Sequence, residues 1–242
     1  EKDGSPTKVG IAFVDVATAM FASNAILAAL FVREKTGVGQ HLDLALLDSV
    51  VAMLANVGSN FLCSGQVPER WGNAHASIVP YQTFEAADGH LILAIGNDGQ
   101  WIRFCEAAGR NDLATENRFG TNPKRVTNRG ILVPILEGMF REKSVADWVS
   151  LCKSADVPAG PVNAIGQVFT DPQIIQRGML VNLDRQDGEA VPMAGSPLNL
   201  SKTPTSMRLP PPRLGEHTDE ILHDELSLDE QEIAALHCAA VV

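Results

Sequence analysis

One carboxylate stands at a junction between two apolar segments. Asp15 follows a short run suited to a buried strand, residues 8–14, and precedes a long uncharged stretch, residues 16–32, that predicts a helix. The first N–H groups of a helix lack intrahelical partners, and together with the helix dipole they favour an anion. Asp15 therefore has two compatible interpretations: a helix cap, or an ionised carboxylate that can attack a carbonyl group in covalent catalysis.

A loop rich in turn residues carries the next candidates. Residues 64–80 contain two glycines and two prolines with little periodicity, and long structureless loops in compact domains are often functional. Within this loop, His75 can hydrogen-bond to a carboxylate or balance its charge, and Ser77 can donate a hydrogen bond. A purely structural role for His75 is the open alternative.

Three other polar groups have simpler interpretations. Residues 96–100 suggest a phosphate-binding loop but lack the lysine and the full glycine spacing of a Walker motif, so we predict a turn before a helix. His217 and Asp219 lie beside a proline-rich stretch and predict a helix start more than a catalytic pair. Arg125 and Arg129 are interpreted as solvated helix charges and not as anion ligands.

Composition limits the class of partner. The chain has 242 residues, 45% of them hydrophobic, which is enough to bury a sizeable core. The net charge of -10 disfavours nucleic acid or an anionic membrane surface as a partner, because both need clustered Lys and Arg. Residues 16–32 are only just long enough to span a bilayer and contain Thr18, Ser23 and Asn24, so we expect a buried helix. The expected partner is a small molecule or another protein.

The cysteines indicate a reducing compartment. They are far apart and form neither a CxxC pair nor a zinc-type cluster with histidine; they are Cys63, Cys105, Cys152 and Cys238. We therefore expect reduced thiols, no metal site, and a cytoplasmic location, or the mitochondrial matrix in a eukaryote. The sequence opens with Glu1 and shows no export signal, which predicts a start in mid-protein.

Periodicity predicts a mixture of short strands and helices after the first helix, which should stop at Gly37. The further predicted strands are residues 41–46, 81–84, 90–95 and a pair within 178–193. The further predicted helices are residues 48–62, 100–108, 129–140, 144–154, 171–177, 216–226 and 229–238.

Several short segments occur in a fixed order across the chain, and the first of them includes Asp15: residues 9–20, 28–30, 33–40, 70–75, 78–82, 160–163, 171–173 and 214–218. Together they resemble the class III CoA-transferases of the formyl-CoA transferase and carnitine-CoA-transferase type. Within that family, residues 71–82 are most similar to the succinyl-CoA:glutarate, or dicarboxylate, group.

The resemblance implies an α/β fold in which a Rossmann-like large domain, only partial here, accompanies a smaller α+β domain in an interlocked dimer. On this basis residues 1–63 form the catalytic part of the large domain, residues 64–177 the small domain, and residues 178–242 the return to the large domain. Family members carry an N-terminal part that this sequence lacks. The chain is then a homodimer-forming fragment, or a separate polypeptide supplies the missing part.

The same resemblance implies transfer of CoA from an acyl-CoA thioester to a free carboxylic acid, with no metal and no cofactor beyond the CoA substrate. Asp15 corresponds to the nucleophile that forms the aspartyl-acyl anhydride and aspartyl-CoA thioester intermediates. His75, Ala76 and Ser77 fall in a mobile loop and are expected to bind substrate, although this chain lacks the run of glycines found there in formyl-CoA transferases.

Two alternatives stay open at this stage. An acyl-CoA racemase of the same superfamily would use Asp15 together with Asp98 as acid and base on the α-carbon. A non-catalytic fragment or subunit would only bind a partner half.

Overall fold

The computed structural model describes residues 4–185 and 188–242, which form two compact units that meet in sequence between Pro161 and Val162. The first unit contains, in order, α1 (Phe13–Thr36), α2 (Leu46–Ala52), α3 (Ala55–Ser64), β1 (Tyr81–Glu85), β2 (His90–Ala94), α4 (Asp98–Ala107), α5 (Asn111–Thr115), α6 (Asn122–Thr127), α7 (Arg129–Phe140), α8 (Val145–Ser154) and β3 (Ala159–Pro161).

The second unit is smaller and contains α9 (Ile165–Thr170), α10 (Pro172–Gln176), β4 (Leu180–Asp184), β5 (Ala190–Ala194), α11 (Thr218–Asp224) and α12 (Glu230–Cys238). The strands β4 and β5 pair as an antiparallel hairpin, as predicted. The unit boundary differs from the predicted boundaries after residues 63 and 177. Those describe the domains of an assembled enzyme and stay a prediction.

The first helix ends where the sequence predicts. Gly37 adopts a positive φ of 75° and its N–H bonds to the carbonyl of Arg33 at 2.8 Å, which is the left-handed cap that glycine provides at lowest cost. Arg33 and Lys35 lie in the last turn, where a positive charge suits the helix dipole.

The surface of α1 is apolar and uncovered. Ala17 is its one buried residue, and its polar Thr18, Ser23 and Asn24 bond back to carbonyls of the same helix. By length and composition α1 could cross a membrane, and so could α2 with α3 if that pair, bent by 77°, is one span. The expected burial of α1 is therefore not met by contacts within the chain that the structure describes.

The strands predicted at residues 8–14 and 41–46 are wrong. The helix α1 already begins at Phe13, and residues 41–45 precede α2 without joining any ladder. All strand pairs in the described residues are antiparallel and lie in β1 to β5. An apolar run indicates that a segment is buried, but a strand also needs a neighbouring strand to satisfy its backbone hydrogen bonds.

The closed core lies in one α+β body, residues 79–161. The sheet order is β1-β2-β3, and the strands predicted at residues 81–84 and 90–95 form an antiparallel hairpin that pairs Tyr81 with Ala94 and Glu85 with His90. Helices α4, α7 and α8 supply most of the other core side chains. The largest fully buried side chains include Trp101, Trp148, Phe84, Phe104, Phe119, Phe140, Leu91, Leu93, Ile95, Leu132 and Leu136.

Aromatic contacts and buried thiols complete this core. The ring centroids of Phe84 and Phe140 are 4.6 Å apart, those of Phe140 and Trp148 are 4.7 Å apart, and Trp148 donates its indole N–H to the Phe140 carbonyl. Burial raises the pKa of the Cys105 thiol to about 12 and that of Cys152 to about 11. Both therefore behave as small apolar side chains.

Adjacent residues on α7 offer a matched test of this core. Leu132 is fully buried whereas Ile131 is 45% exposed. We expect Leu132→Ala to lower the free energy of unfolding by about 2–5 kcal/mol, because it leaves a cavity, and Ile131→Ala to lower it far less. Urea denaturation followed by circular dichroism measures both. Equal losses would contradict the position of the core.

Candidate active site

Asp15 lies in the first turn of α1 and is exposed. The N-cap is Ala12, with no side-chain cap, so the interpretation of Asp15 as the cap residue is wrong: the helix begins three residues earlier than expected. Within the described ranges no hydrogen bond or ion pair engages its side chain. The carboxylate is therefore uncommitted at the positive end of a helix of 24 residues.

Residues 71–79 carry the other predicted site residues, and this segment packs against β1, the edge strand of the sheet. The His75 backbone N–H bonds to the Tyr81 carbonyl at 2.9 Å, and the two rings stack with centroids 5.4 Å apart. Nδ1 of His75 accepts a hydrogen bond from the Ser77 backbone at 3.1 Å. The proton of a neutral His75 ring is then on Nε2. His75 is half-buried, while Ala76 and Ser77 are exposed.

Two asparagines fix the backbone of the same segment. Asn122, at the start of α6, accepts from the Val79 N–H at 3.1 Å and donates to the Ser77 carbonyl at 2.9 Å. Asn73 accepts from the Thr83 N–H on β1 at 3.0 Å. Because these bonds use the backbone of residues 77–79 and β1, they hold the segment and leave the hydroxyl of Ser77 available.

Arg125 anchors the end of the segment from inside the body. Its side chain is fully buried, and its nitrogens donate to the Val79 carbonyl (2.7 Å), the Phe119 carbonyl (3.0 Å) and the Asp98 carboxylate (2.9 Å). Burial lowers the pKa of Arg125, and the bond to Asp98 opposes that shift. The prediction that Arg125 is a solvated helix charge is wrong, because a cation is expensive to bury and sequence spacing did not reveal its acceptors.

Asp98 bonds to Arg125 and so helps to hold the end of the segment in place. Its Oδ1 accepts from Nη2 of Arg125 and also from the backbone N–H of Asn122 at 2.8 Å. The predicted turn before a helix is confirmed, since Asn97 caps α4 by accepting from the Gln100 N–H at 2.9 Å. The sequence did not indicate that Asp98 would be an ion-pair partner of Arg125.

Arg129, the first residue of α7, contacts the middle of the segment. Its Nη2 donates to the carbonyls of His75 (2.7 Å) and Ala76 (2.9 Å), and its guanidinium lies 4.2 Å from the ring centre of Trp71. Its Nε and Nη1 are buried without an acceptor in the described residues. Burial lowers its pKa. The prediction of a solvated charge is therefore wrong for Arg129 as well.

The described hydrogen bonds do not join Asp15 to His75, Ala76 or Ser77. The predicted site residues are thus positioned separately, Asp15 by α1 and the others by the α+β body. In the second unit His217 stands at the start of α11 and makes an ion-pair contact with Glu220 at 3.1 Å, as expected for a helix-start residue. No group of three or more His, Cys, Asp or Glu in the described ranges could hold a metal ion.

Comparison with known proteins identifies the class. The model of CoA-transferase family III matches residues 1–218, and the chain belongs to this family. The resemblance noted in the sequence is thereby confirmed.

Two curated relatives and one solved structure are similar over nearly all of the chain. The succinate–glutarate CoA-transferase of Agrobacterium fabrum is 42% identical over 92% of this chain and 56% of its own length. The succinyl-CoA:glutarate CoA-transferase of Mus musculus is 38% identical over 100% of this chain and 55% of its own length. A CAIB/BAIF family protein from Brucella suis, 40% identical, superposes over 95% of this chain and 58% of that protein with a TM-score of 0.75. The chain thus spans about half the length of these curated relatives, and its α/β content fits the class III CoA-transferase fold.

The Asp98 anchor generates a stability prediction. Asp98→Ala leaves the buried Arg125 without its counter-charge and should lower the free energy of unfolding by about 1–3 kcal/mol. The control is Asp112→Ala, which removes an exposed carboxylate paired with Arg110 and should have a smaller effect. Urea denaturation of both variants decides, and a loss no larger for Asp98→Ala than for the control would show that the anchor is unimportant.

Proposed function

We propose that the assembled enzyme containing this chain transfers CoA from an acyl-CoA thioester to a free carboxylic acid, with Asp15 as the nucleophile. The observation that carries the proposal is the uncommitted carboxylate of Asp15 in the first turn of α1, inside the span that matches CoA-transferase family III. The relatives named as succinate–glutarate and succinyl-CoA:glutarate transferases support dicarboxylates as the substrate class.

In the first half of the proposed reaction a carboxylate oxygen of Asp15 attacks the thioester carbonyl. The C–S bond breaks, CoA leaves as a thiolate, and an aspartyl-acyl anhydride forms. The thiolate then attacks the aspartyl carbonyl of the anhydride. This step releases the first carboxylic acid and leaves CoA on Asp15 as a thioester.

In the second half the acceptor carboxylate attacks the aspartyl-CoA thioester, which again gives an anhydride and the CoA thiolate. The thiolate attacks the acyl carbonyl, and the products are the new acyl-CoA and the free Asp15 carboxylate. Each step exchanges one acyl bond for another of similar reactivity. Catalysis therefore depends on positioning and exclusion of water, and the reaction requires no metal or further cofactor.

Each part of the chain has a role in this proposal. The first turn of α1 presents the carboxylate of Asp15, which would attack the thioester. His75, Ala76 and Ser77 cover the acyl group and exclude water from the anhydride. Asn122 and Arg125 position those three residues through the backbone bonds described above.

The racemase alternative receives less support from the geometry. It would require Asp98 to exchange a proton with the α-carbon of a substrate. The Oδ1 atom of Asp98 instead accepts two hydrogen bonds, one of them from the buried Arg125, and these contacts favour a structural role for this carboxylate.

The proposal extends to assembly. A Rossmann-like large domain, completed by the N-terminal part that family members carry, would cover the apolar face of α1 and give the unpaired segments at residues 8–12 and 41–45 their neighbours. We propose an interlocked homodimer in the cytoplasm, or in the mitochondrial matrix of a eukaryote. Acyl-CoA and a carboxylic acid are its substrates.

Replacing the nucleophile tests the mechanism. In the assembled enzyme Asp15→Ala should lower transfer by more than about 10³-fold, because a methyl group forms no acyl bond, while the exposed position leaves folding intact. Asp48→Ala, which removes another exposed first-turn carboxylate, is the control. Exchange of labelled CoA into acyl-CoA measures transfer, and mass spectrometry should find a CoA adduct on Asp15. Wild-type exchange by a folded Asp15→Ala enzyme refutes the assignment.

The proposed shielding of the anhydride from water by His75, Ala76 and Ser77 gives a separate prediction. The double variant of His75→Ala and Ser77→Ala should raise acyl-CoA hydrolysis relative to transfer several-fold, because water reaches the anhydride more easily. His90→Ala, which changes an exposed histidine at the start of β2, is the control. Release of free CoA and formation of the new acyl-CoA are measured together. An unchanged ratio of the two rates would remove these side chains from the site.

A further inference from the structure

Arg129 forms no ion pair with any carboxylate in the part of the chain that the structure describes. Its Nη2 bonds only to backbone carbonyls, and its Nε and Nη1 are closed to solvent and have no acceptor among the described residues. Burial is the cause that lowers its pKa, with no acidic side chain to oppose it. Each unpaired N–H in such a place costs free energy until an acceptor reaches it.

Arg125, one helical turn earlier, shows how the same body satisfies an arginine that only holds structure. All three of its nitrogens have acceptors, and one of these is the carboxylate of Asp98. Arg129 uses one nitrogen of three for the loop. The N–H groups on its other two nitrogens are therefore not needed to hold the backbone of residues 75–76.

The surroundings of Arg129 select the kind of anion. Trp71 covers one face of the guanidinium, which leaves the planar edge for a hydrogen-bond acceptor, and carboxylates match that edge well. The chain carries ten more negative than positive charges, yet none of its described carboxylates forms an ion pair with Arg129. A carboxylate ligand would supply that counter-charge.

We propose that Arg129 binds the distal carboxylate of a dicarboxylate substrate, the one that does not react, and so determines preference for dicarboxylic over monocarboxylic acids. The inference rests on the proposed CoA transfer and deepens it, because that reaction consumes the proximal carboxylate and leaves the distal one as a fixed negative charge. His75, whose backbone Arg129 already holds, lies next to this charge.

Binding is coupled to movement of the segment. Since Nε and Nη1 are closed to solvent, a carboxylate reaches them only when residues 71–76 shift, and the bonds from Nη2 to His75 and Ala76 hold those residues in place. The substrate carboxylate would replace a neutral carbonyl contact with a charge-assisted one, which is the stronger of the two. The distal group then helps to place the cover over the reacting carbonyl.

The test compares two five-carbon acceptors, glutarate and pentanoate, which differ in the distal carboxylate. In the assembled enzyme Arg129→Gln should lower kcat/KM for glutarate relative to pentanoate by about 10-fold to 100-fold, mainly through KM. Arg118→Gln, which removes an exposed arginine paired with Glu116, should leave the ratio unchanged. An equal loss with both acids would mean that Arg129 only anchors the loop, and that overturns the inference.

A binding measurement separates this inference from the proposed reaction. If the wild-type enzyme transfers CoA to neither acid, the proposed function fails, and calorimetric titration with glutarate still tests Arg129. The expected result is glutarate binding that Arg129→Gln weakens at least about tenfold, with pentanoate binding unaffected. Absence of glutarate binding to the wild-type protein, or equal binding to the variant, overturns the inference.

Discussion

The ion pair between the buried Arg125 and the partly exposed Asp98 is the interaction on which the rest of the candidate site depends. Through it the start of α4, the start of α6 and the end of the loop at Val79 share one hydrogen-bonded network. A buried guanidinium tolerates few rearrangements, because every lost acceptor leaves a charge unsatisfied. The position of the loop is therefore set by its hydrogen bonds to Arg125 and Asn122 more than by contacts within the loop itself. Arg129, at the start of α7, bonds to the carbonyls of His75 and Ala76, which are proposed to meet substrate.

Those parts of the fold whose signals are local could be predicted from the sequence. The β1–β2 hairpin, α7 and α8 follow from alternation, turn residues and helical periodicity within single segments. The strands predicted at residues 8–14 and 41–46 failed because pairing is a property of two segments and the described chain offers no neighbour. The predictions that Arg125 and Arg129 are solvated charges failed for a related reason. The acceptors of Arg125 lie between 6 and 46 residues away in sequence, and spacing along one helix does not reveal them. Asp15 was found through its place at a helix start together with the family resemblance, and its role is the proposal above.

The two proposed halves of the site differ in how they are stabilised. His75 and Ser77 rest on a body with a closed core, whereas Asp15 lies on a helix with a single buried residue. The chain covers about half of its curated relatives. In the proposed assembly the uncovered apolar face of α1 is buried by the rest of the enzyme. In the proposed enzyme, assembly completes the catalytic helix and brings it to a loop that is already in place.

The positions of the tryptophans and the tyrosine determine which part of the chain intrinsic fluorescence can monitor. Trp101 and Trp148 are fully buried in the body, Trp71 packs on Arg129, and the single tyrosine, Tyr81, opens β1. No tryptophan or tyrosine lies in α1. Intrinsic fluorescence therefore reports on the body and its loop, and it does not report on α1. A chain whose emission spectrum indicates a native fold can still have α1 unfolded, and only a signal from the peptide backbone, such as far-ultraviolet circular dichroism, would detect the difference.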